Sequence, residues 1–226
     1  MATFVLVHGA WHGSWEWEQL TPLLEAAGHR VIAVDLPRTT LDDNASTVRA
    51  AVESADEPVI LVGHSAGGMW ITQAAELVPE RVANLVYVAA FLPQDGQALT
   101  DLAAGDIVQE NLLVDEEHGT ALVAPTVHRQ AFYAESTDEV AAAASAHHVS
   151  EGLAAFTAPV RITEGRAGSV PRVYVECLRD NAIVIERQRA MQAARPCEQV
   201  LTIDTDHCPS LSRPRELADH LLSLAP

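Results

Sequence analysis

Along this chain, runs of Val, Ile and Leu alternate with stretches whose apolar residues recur every three or four positions. The apolar runs at 3–8 (TFVLVH), 30–35 (RVIAVD), 58–63 (PVILVG), 82–92 (VANLVYVAAFL), 172–178 (RVYVECL) and 198–204 (EQVLTID) predict strands. Their consecutive apolar positions read as strands covered on both faces. Between them the pattern predicts helices over Pro22–Ala27, Thr47–Ser54, Met69–Leu77 and Ile183–Ala194, with Thr21 as an N-cap and Gly28 just past a helix end. Pro214 opens a last helix, because its fixed φ suits a first turn. Alternation of this kind predicts an α/β fold built on a mostly parallel, doubly wound sheet.

One stretch departs from the alternation. From about 94 to 170 the strand runs stop and the sequence turns alanine-rich and helical, with STDE at Ser136–Glu139 reading as a capping box. The chain therefore divides into an α/β core, 1–93 and 171–226, and a small helical cap, 94–170, that is inserted and not independent. The length of 226 residues suits one large domain of this type.

Charge and composition narrow the partners. The 14 basic and 31 acidic side chains give −17, and all the basic ones are arginine. Such a chain repels nucleic acid and anionic membrane surfaces. No basic leader precedes the first strand and no apolar run reaches membrane-spanning length, so a soluble cytoplasmic protein is expected, a monomer or homodimer. The 3 cysteines, Cys177, Cys197 and Cys208, are widely spaced and lack a Cys-x-x-Cys pair, which predicts reduced thiols and no metal. Alanine-rich, lysine-free usage points to a G+C-rich genome.

The candidate chemistry lies in Gly63-His64-Ser65-Ala66-Gly67. This is G-x-S-x-G between a predicted strand and a predicted helix, the context of a nucleophile elbow. The alternative, a glycine-rich nucleotide loop, lacks both phosphate-binding patterns. A serine needs a base, and among the 10 histidines His207 lies past the last strand, where loops gather at the carboxyl edge of a parallel sheet. His147 and His148 read as solvent-facing, and His8 and His12 flank loop glycines. The acid that orients the base is assigned to Asp180 after the strand at 172–178, with Asp95 as rival and Asp206 as a loop cap. Backbone N–H groups of Ala10 and Ala66 are the candidate oxyanion hole. Trp11, Phe132, Tyr133 and Phe156 are candidate pocket walls, whereas Trp15, Trp17 and Trp70 read as packing and Arg129, Arg161 and Arg166 as solvent-exposed.

The segments FVLVHGAWHGSWEWEQLTPLLEAAGHRVIAVDLP, VGHSAGGMWI, RVYVECLRDNAI and DHCPSLSRPRELADHLL together resemble the α/β-hydrolase group of small methyl-ester esterases and hydroxynitrile lyases. The resemblance covers essentially the whole chain and implies a triad of Ser65, Asp180 and His207. It also has departures. The lyases of the group carry threonine at the position of Gly9 and lysine at that of Cys208, so cyanohydrin cleavage is disfavoured. Arg38 replaces a glycine usual after DLP, which touches the shape of one pocket wall.

The sequence thus points to a cofactor-free serine hydrolase acting on a small, mostly apolar carboxylic ester of methyl-ester or lactone type. Two other classes stay open: a non-hydrolytic enzyme of the same fold performing cyclisation, elimination or C–C cleavage, and a ligand-sensing binder with a residual triad.

Overall fold

The computed structural model describes residues 1–103 and 105–226. The strands of the main sheet are β1 (Thr3–Val7), β2 (Arg30–Val34), β3 (Val59–His64) and β4 (Val82–Val88), joined after the inserted segment by β8 (Arg172–Cys177) and β9 (Gln199–Ile203). They form a 6-stranded sheet in the order β2-β1-β3-β4-β8-β9, with every neighbouring pair parallel. Successive side chains of a strand point to opposite faces, and the core splits accordingly. Val5, Val7, Leu61, Leu85 and Tyr87 pack with Trp70 on one face, while Phe4, Leu6, Ile60, Val62 and Val86 pack with Trp17, Leu24 and Leu217 on the other.

The inner strands are buried at nearly every position, as their apolar runs predict. The edge strands differ: β2 and β9 are largely open to solvent, because each has a neighbour on one side only and little helical cover. The run at 82–92 also stops being a strand at Val88, where Ala89 takes a φ of 41° and the chain bends across the end of β3.

Helices fill the predicted intervals with shifted ends. The helix expected at Thr47 begins at Leu41, capped by Thr40, whose hydroxyl accepts the Asp43 N–H. Thr21 is not an N-cap but lies in the first turn of the helix Thr21–Ala26, beside Pro22. In the inserted segment the cap of the helix Asp138–Ala146 is Thr137, not Ser136. Ser136 instead directs its hydroxyl to Asp206, 3.4 Å away.

The inserted segment is not purely helical, contrary to the sequence expectation. Residues 94–170 contain β5 (Leu112–Asp115), β6 (Thr120–Val123) and β7 (Glu151–Gly152), a 3-stranded antiparallel sheet. Gly119 at φ 63° makes the turn between β5 and β6. The signal was present in LLVDEEHGTALV, two short apolar runs about a turn, but β7 is two residues long and becomes a strand only by pairing with β6.

An ion pair sealed in the core fixes the end of β3. A short 3₁₀ turn, Ser14–Trp17, carries Glu16 beneath the sheet edge, where its Oε1 lies 2.6 Å from Nδ1 of His64, both side chains 0% exposed. Burial works to raise the Glu16 carboxyl, but the charge and hydrogen bond of His64 outweigh it and hold it at about 2. Burial likewise works to lower His64, and the Glu16 charge overrides it, so His64 is raised above its ordinary 6.5. Below pH 6.5 and down toward pH 2 the pair is therefore carboxylate and imidazolium.

Glu16→Ala leaves a buried charge without its partner and lowers the unfolding free energy by about 3–5 kcal/mol. Glu16 contributes above its ordinary 4.5 and loses its contribution as pH falls toward 2, whereas His64 contributes fully below 6.5 and loses its contribution as pH rises through its raised value. Urea denaturation of wild type and variant across pH should show the largest gap between about 4.5 and 6.5; a gap constant with pH contradicts the charged pair.

Candidate active site

Ser65 sits at the turn between β3 and the helix Gly67–Leu77 with a φ of 52°, a left-handed conformation that is uncommon for a residue with a side chain. Close backbone contacts hold it there. A Cβ at Gly63 would meet the Gly67 carbonyl oxygen at 2.7 Å, and one at Gly67 would meet the Val7 carbonyl oxygen at 2.7 Å. Gly68, outside the five-residue motif, is tighter still: its Cβ would fall 2.0 Å from the Phe91 carbonyl oxygen. The Ser65 carbonyl accepts the Phe91 N–H at 3.0 Å, so the bend after β4 braces the turn.

His207 and Asp180 come from the loops after β9 and β8. The Nδ1–H of His207 donates to Oδ2 of Asp180 at 2.8 Å, and both side chains are fully buried. Asp180 is held in turn by the N–H groups of Ala182 (2.7 Å) and Ile183 (2.9 Å) and by Nε2 of Gln188 (3.2 Å). That donor set fixes the ring tautomer: Nδ1 carries the hydrogen and Nε2 keeps its lone pair. Nε2 is buried and makes no hydrogen bond among the described residues. The rival acids are engaged elsewhere. Asp95 accepts the Ile162 N–H at 2.8 Å, and Asp206 accepts from the Glu135 N–H (2.8 Å) and the Ser212 hydroxyl (2.8 Å), which closes its own loop.

His64 ties base to elbow. Its Nε2–H donates to the His207 carbonyl at 2.8 Å, and the two rings lie 4.6 Å apart. Because His64 precedes Ser65 directly, the Glu16–His64 pair anchors the segment carrying the serine to the loop carrying the histidine.

Ser65 opens into a cavity of about 60 Å³ that is also lined by Ala10, Ala66, Trp11, Phe132 and Phe156. The amides of Ala10 and Ala66 donate to no other group among the described residues. Leu99, Leu112 and Ile183 complete an apolar wall, and the polar side lies at Asp106, whose carboxylate pairs with Arg187 at 2.5 Å. Residues from both the sheet edge and the inserted segment thus form one cavity.

Tyr133 does not belong to this wall. Its hydroxyl is drawn behind Phe132 into a histidine cluster, 2.9 Å from Nε2 of His12 and 2.6 Å from Nε2 of His148, because a buried phenol needs hydrogen-bond partners. His148 is accordingly packed inward, not solvent-facing, with its ring 4.0 Å from that of His128. Burial and the neighbouring His12 and His128 push His148 down, and burial brings His12 to about 4, so the cluster is neutral. Among the described residues no group of three or more His, Cys, Asp or Glu is arranged to hold a metal ion.

Arg129, Arg161 and Arg166 pair with Asp138, Asp95 and Glu76 and stay out of the pocket. Arg38 adopts the φ of 61° that a glycine would take freely, and its guanidinium donates to the carbonyls of His12 (3.0 Å) and Leu36 (2.8 Å). A Cβ at Gly9 would strike the Ser65 Cβ at 2.8 Å. Sequence reading missed Glu16, Gln188, Gly68 and Glu151. A carboxylate in WEW or an amide in ERQRA carries no local sign that it is buried, and only the position of Gly68 directly after the motif's last glycine hinted at the tight elbow.

Comparison with known proteins agrees with this geometry. Residues 4–220 match the profile of the alpha/beta hydrolase family. Salicylic acid-binding protein 2 of Nicotiana tabacum is 34% identical over 250 residues, spanning 98% of this chain and 96% of its own length. Methylesterase 9 of Arabidopsis thaliana is 31% identical over 253 residues, 100% of this chain and 98% of its own. Among solved structures, polyneuridine aldehyde esterase superposes with a TM-score of 0.86 at 28% identity over 100% of both chains. A pyrethroid hydrolase from Sphingobium faniae JZ-2 gives a TM-score of 0.88 at 26% identity, covering 98% of this chain and 96% of that one. With a parallel sheet, a serine at the strained turn after its third strand and a family match over nearly all its length, the chain belongs to the alpha/beta hydrolase family.

Proposed function

We propose that this protein is a serine hydrolase of small, mostly apolar carboxylic esters, working through an acyl-enzyme. The observation that carries the reading is the buried Asp180–His207 contact of 2.8 Å, joined through His64, whose ring lies 4.6 Å from that of His207, to a serine held at a left-handed turn that opens into an apolar pocket. Relatives named as methylesterase or esterase support the same reaction class.

In this reading Ser65 Oγ attacks the ester carbonyl while His207 Nε2 takes its proton. Asp180 stabilises the imidazolium that forms and keeps the ring oriented. The Ala10 and Ala66 amides, free of other acceptors, hold the oxyanion. The proton on Nε2 then passes to the departing alcohol, and a water activated by His207 releases the acid. The chain's own groups supply every step, so no cofactor is required. Apolar walls suit a small uncharged ester of methyl-ester or lactone type, with residues 94–170 as the cap that shuts it from water. The two side chains linked to cyanohydrin cleavage have no counterpart: Gly9 has no room for one, and the Cys208 thiol lies 3.8 Å from His12 Nε2. A cytoplasmic setting suits the three unpaired thiols, and the reading is indifferent to whether the protein is a monomer or a homodimer.

Ser65→Ala and His207→Ala should each lower ester turnover by about 10⁶-fold with thermal unfolding little changed, measured on a panel of p-nitrophenyl and methyl esters. A fluorophosphonate should add its mass at Ser65 in the wild type and not in the serine variant. Labelling without turnover of any ester would turn the assignment to a non-hydrolytic reaction of the same fold or to ligand sensing; a variant that keeps most of its turnover would remove Ser65 as nucleophile. Asp180→Asn, which keeps the shape but reverses the hydrogen-bond sense toward the ring, should lower kcat by about 10⁴-fold; full activity in that variant would exclude Asp180 as the orienting acid.

A further inference from the structure

The residue after Ala10 is held in a way the proposed reaction does not by itself explain. Trp11 takes a φ of 63°, where a bulky side chain is strained unless its surroundings over-determine it. The inserted segment supplies the restraint. Trp11 N–H donates to Glu151 Oε2 at 3.2 Å, its carbonyl accepts the Val149 N–H at 3.1 Å, and its indole N–H donates to the Ala121 carbonyl at 3.0 Å. All three partners come from β6, β7 or the turn leading into β7.

The first of these bonds has a counterpart on the core side. The Ala10 carbonyl accepts the Nδ1–H of His12 at 2.8 Å. The peptide unit between Ala10 and Trp11 is therefore gripped at both polar ends, its oxygen by an imidazole of the core and its N–H by a carboxylate of the inserted segment. A planar peptide fixed at both ends cannot rotate; the Ala10 N–H, unpartnered at the pocket, belongs to the peptide before it, whose Gly9 carbonyl lies 2.8 Å from His8 Nδ1, and it joins the clamped unit at the Ala10 Cα.

Glu151 is built for that place. It is 1% exposed on a two-residue strand, and β7 cannot retreat from the oxyanion loop independently of its neighbours. The Gly152 N–H donates to the Arg38 carbonyl at 2.9 Å, and a Cβ at Gly152 would fall 2.5 Å from the Thr39 carbonyl oxygen, so β7 lies flush against the loop after β2. Burial raises the Glu151 carboxyl to about 7, with the Trp11 N–H and the Arg38 charge acting to lower it. A carboxyl buried at this cost, with the Trp11 N–H as its backbone donor and the Asn44 amide beside it, is better explained by what it holds.

We propose that Glu151 is a positioning residue for the oxyanion hole: its side chain clamps the Ala10–Trp11 peptide, the unit next to the Ala10 N–H, so that docking of the cap sets one side of the hole's geometry while the core sets the other. The inference rests on the reading of Ala10 as an oxyanion donor. The cap is then part of the catalytic apparatus as well as a wall of the pocket.

The test compares Glu151→Ala, Glu151→Gln and Glu151→Asp in the full chain, with rates normalised to folded protein. Two readouts are used: kcat and KM on an ester turned over by the wild type, and the second-order rate at which a fluorophosphonate labels Ser65. The second also needs the hole and no native substrate. Glu151→Ala should lower kcat and the labelling rate together by about 10–10²-fold with KM little changed, the scale of a misplaced catalytic group. Glu151→Gln, whose amide oxygen still accepts the Trp11 N–H, should recover most of both rates. Glu151→Asp, one methylene short, should stay slow and serves if the alanine variant does not fold.

Wild-type rates in the alanine or aspartate variant, or a rise in KM with kcat and labelling intact, would overturn the proposal while leaving the hydrolase reading in place. Failure of Ser65 labelling in the wild type would instead remove the hydrolase reading, and the proposal with it.

Discussion

The architecture of this protein turns on one close approach of backbone to backbone. For Ser65 to stand clear of the sheet at a φ of 52°, β3 must reverse into a helix within three residues, and the helix start must pass against the bends after β1 and β4. Side chains are excluded there: a methyl group on Gly68 would overlap the Phe91 carbonyl at 2.0 Å. The strain at the turn is held by packing on both faces of the sheet, by Trp70 and its neighbours on one side and Trp17 on the other. Without that core the turn has no reason to persist.

Three buried carboxylates surround the turn, and each is made tolerable in a different way. Asp180 is saturated by two backbone N–H groups, an amide and the imidazole of His207, so it is fixed in place and serves to fix the ring. Glu16 meets a single imidazolium, and its partner reaches the His207 carbonyl from the other side. Glu151 has the Trp11 N–H, with the Asn44 amide and the Arg38 charge beside it, and still lies at about 7. A buried charge left with fewer partners costs more. The ordering therefore runs from the rigid Asp180–His207 pair outward to the contact between core and inserted segment.

The neutral histidine cluster shows the same economy without charge. His12 donates through Nδ1 to the Ala10 carbonyl, which leaves its Nε2 to accept from Tyr133; His148 then donates to the Tyr133 oxygen. One ring thus links the oxyanion loop to the packing behind Phe132. Tyr133, which looked like a pocket residue in the sequence, is spent on that link.

The sequence alone determined the layered α/β plan, since central strands buried on both faces must be apolar at consecutive positions, and their order left few topologies open. It also determined where a nucleophile could stand, because the glycines about Ser65 answer to local sterics and are readable locally. The Asp180–His207 contact was half legible: chain order and strand-end position left Asp180 or Asp95 as the partner of His207, and the structure places Asp180 there at 2.8 Å. What tertiary structure alone decided is which polar side chains are buried and against what. Glu16, Gln188 and Glu151 acquire their partners from residues far away in the chain; Glu151 meets Trp11 across 140 positions. Strand β7 exists only because β6 is beside it. Periodicity reports how a residue faces its own element, whereas the environment of a buried charge is set by the elements that close over it.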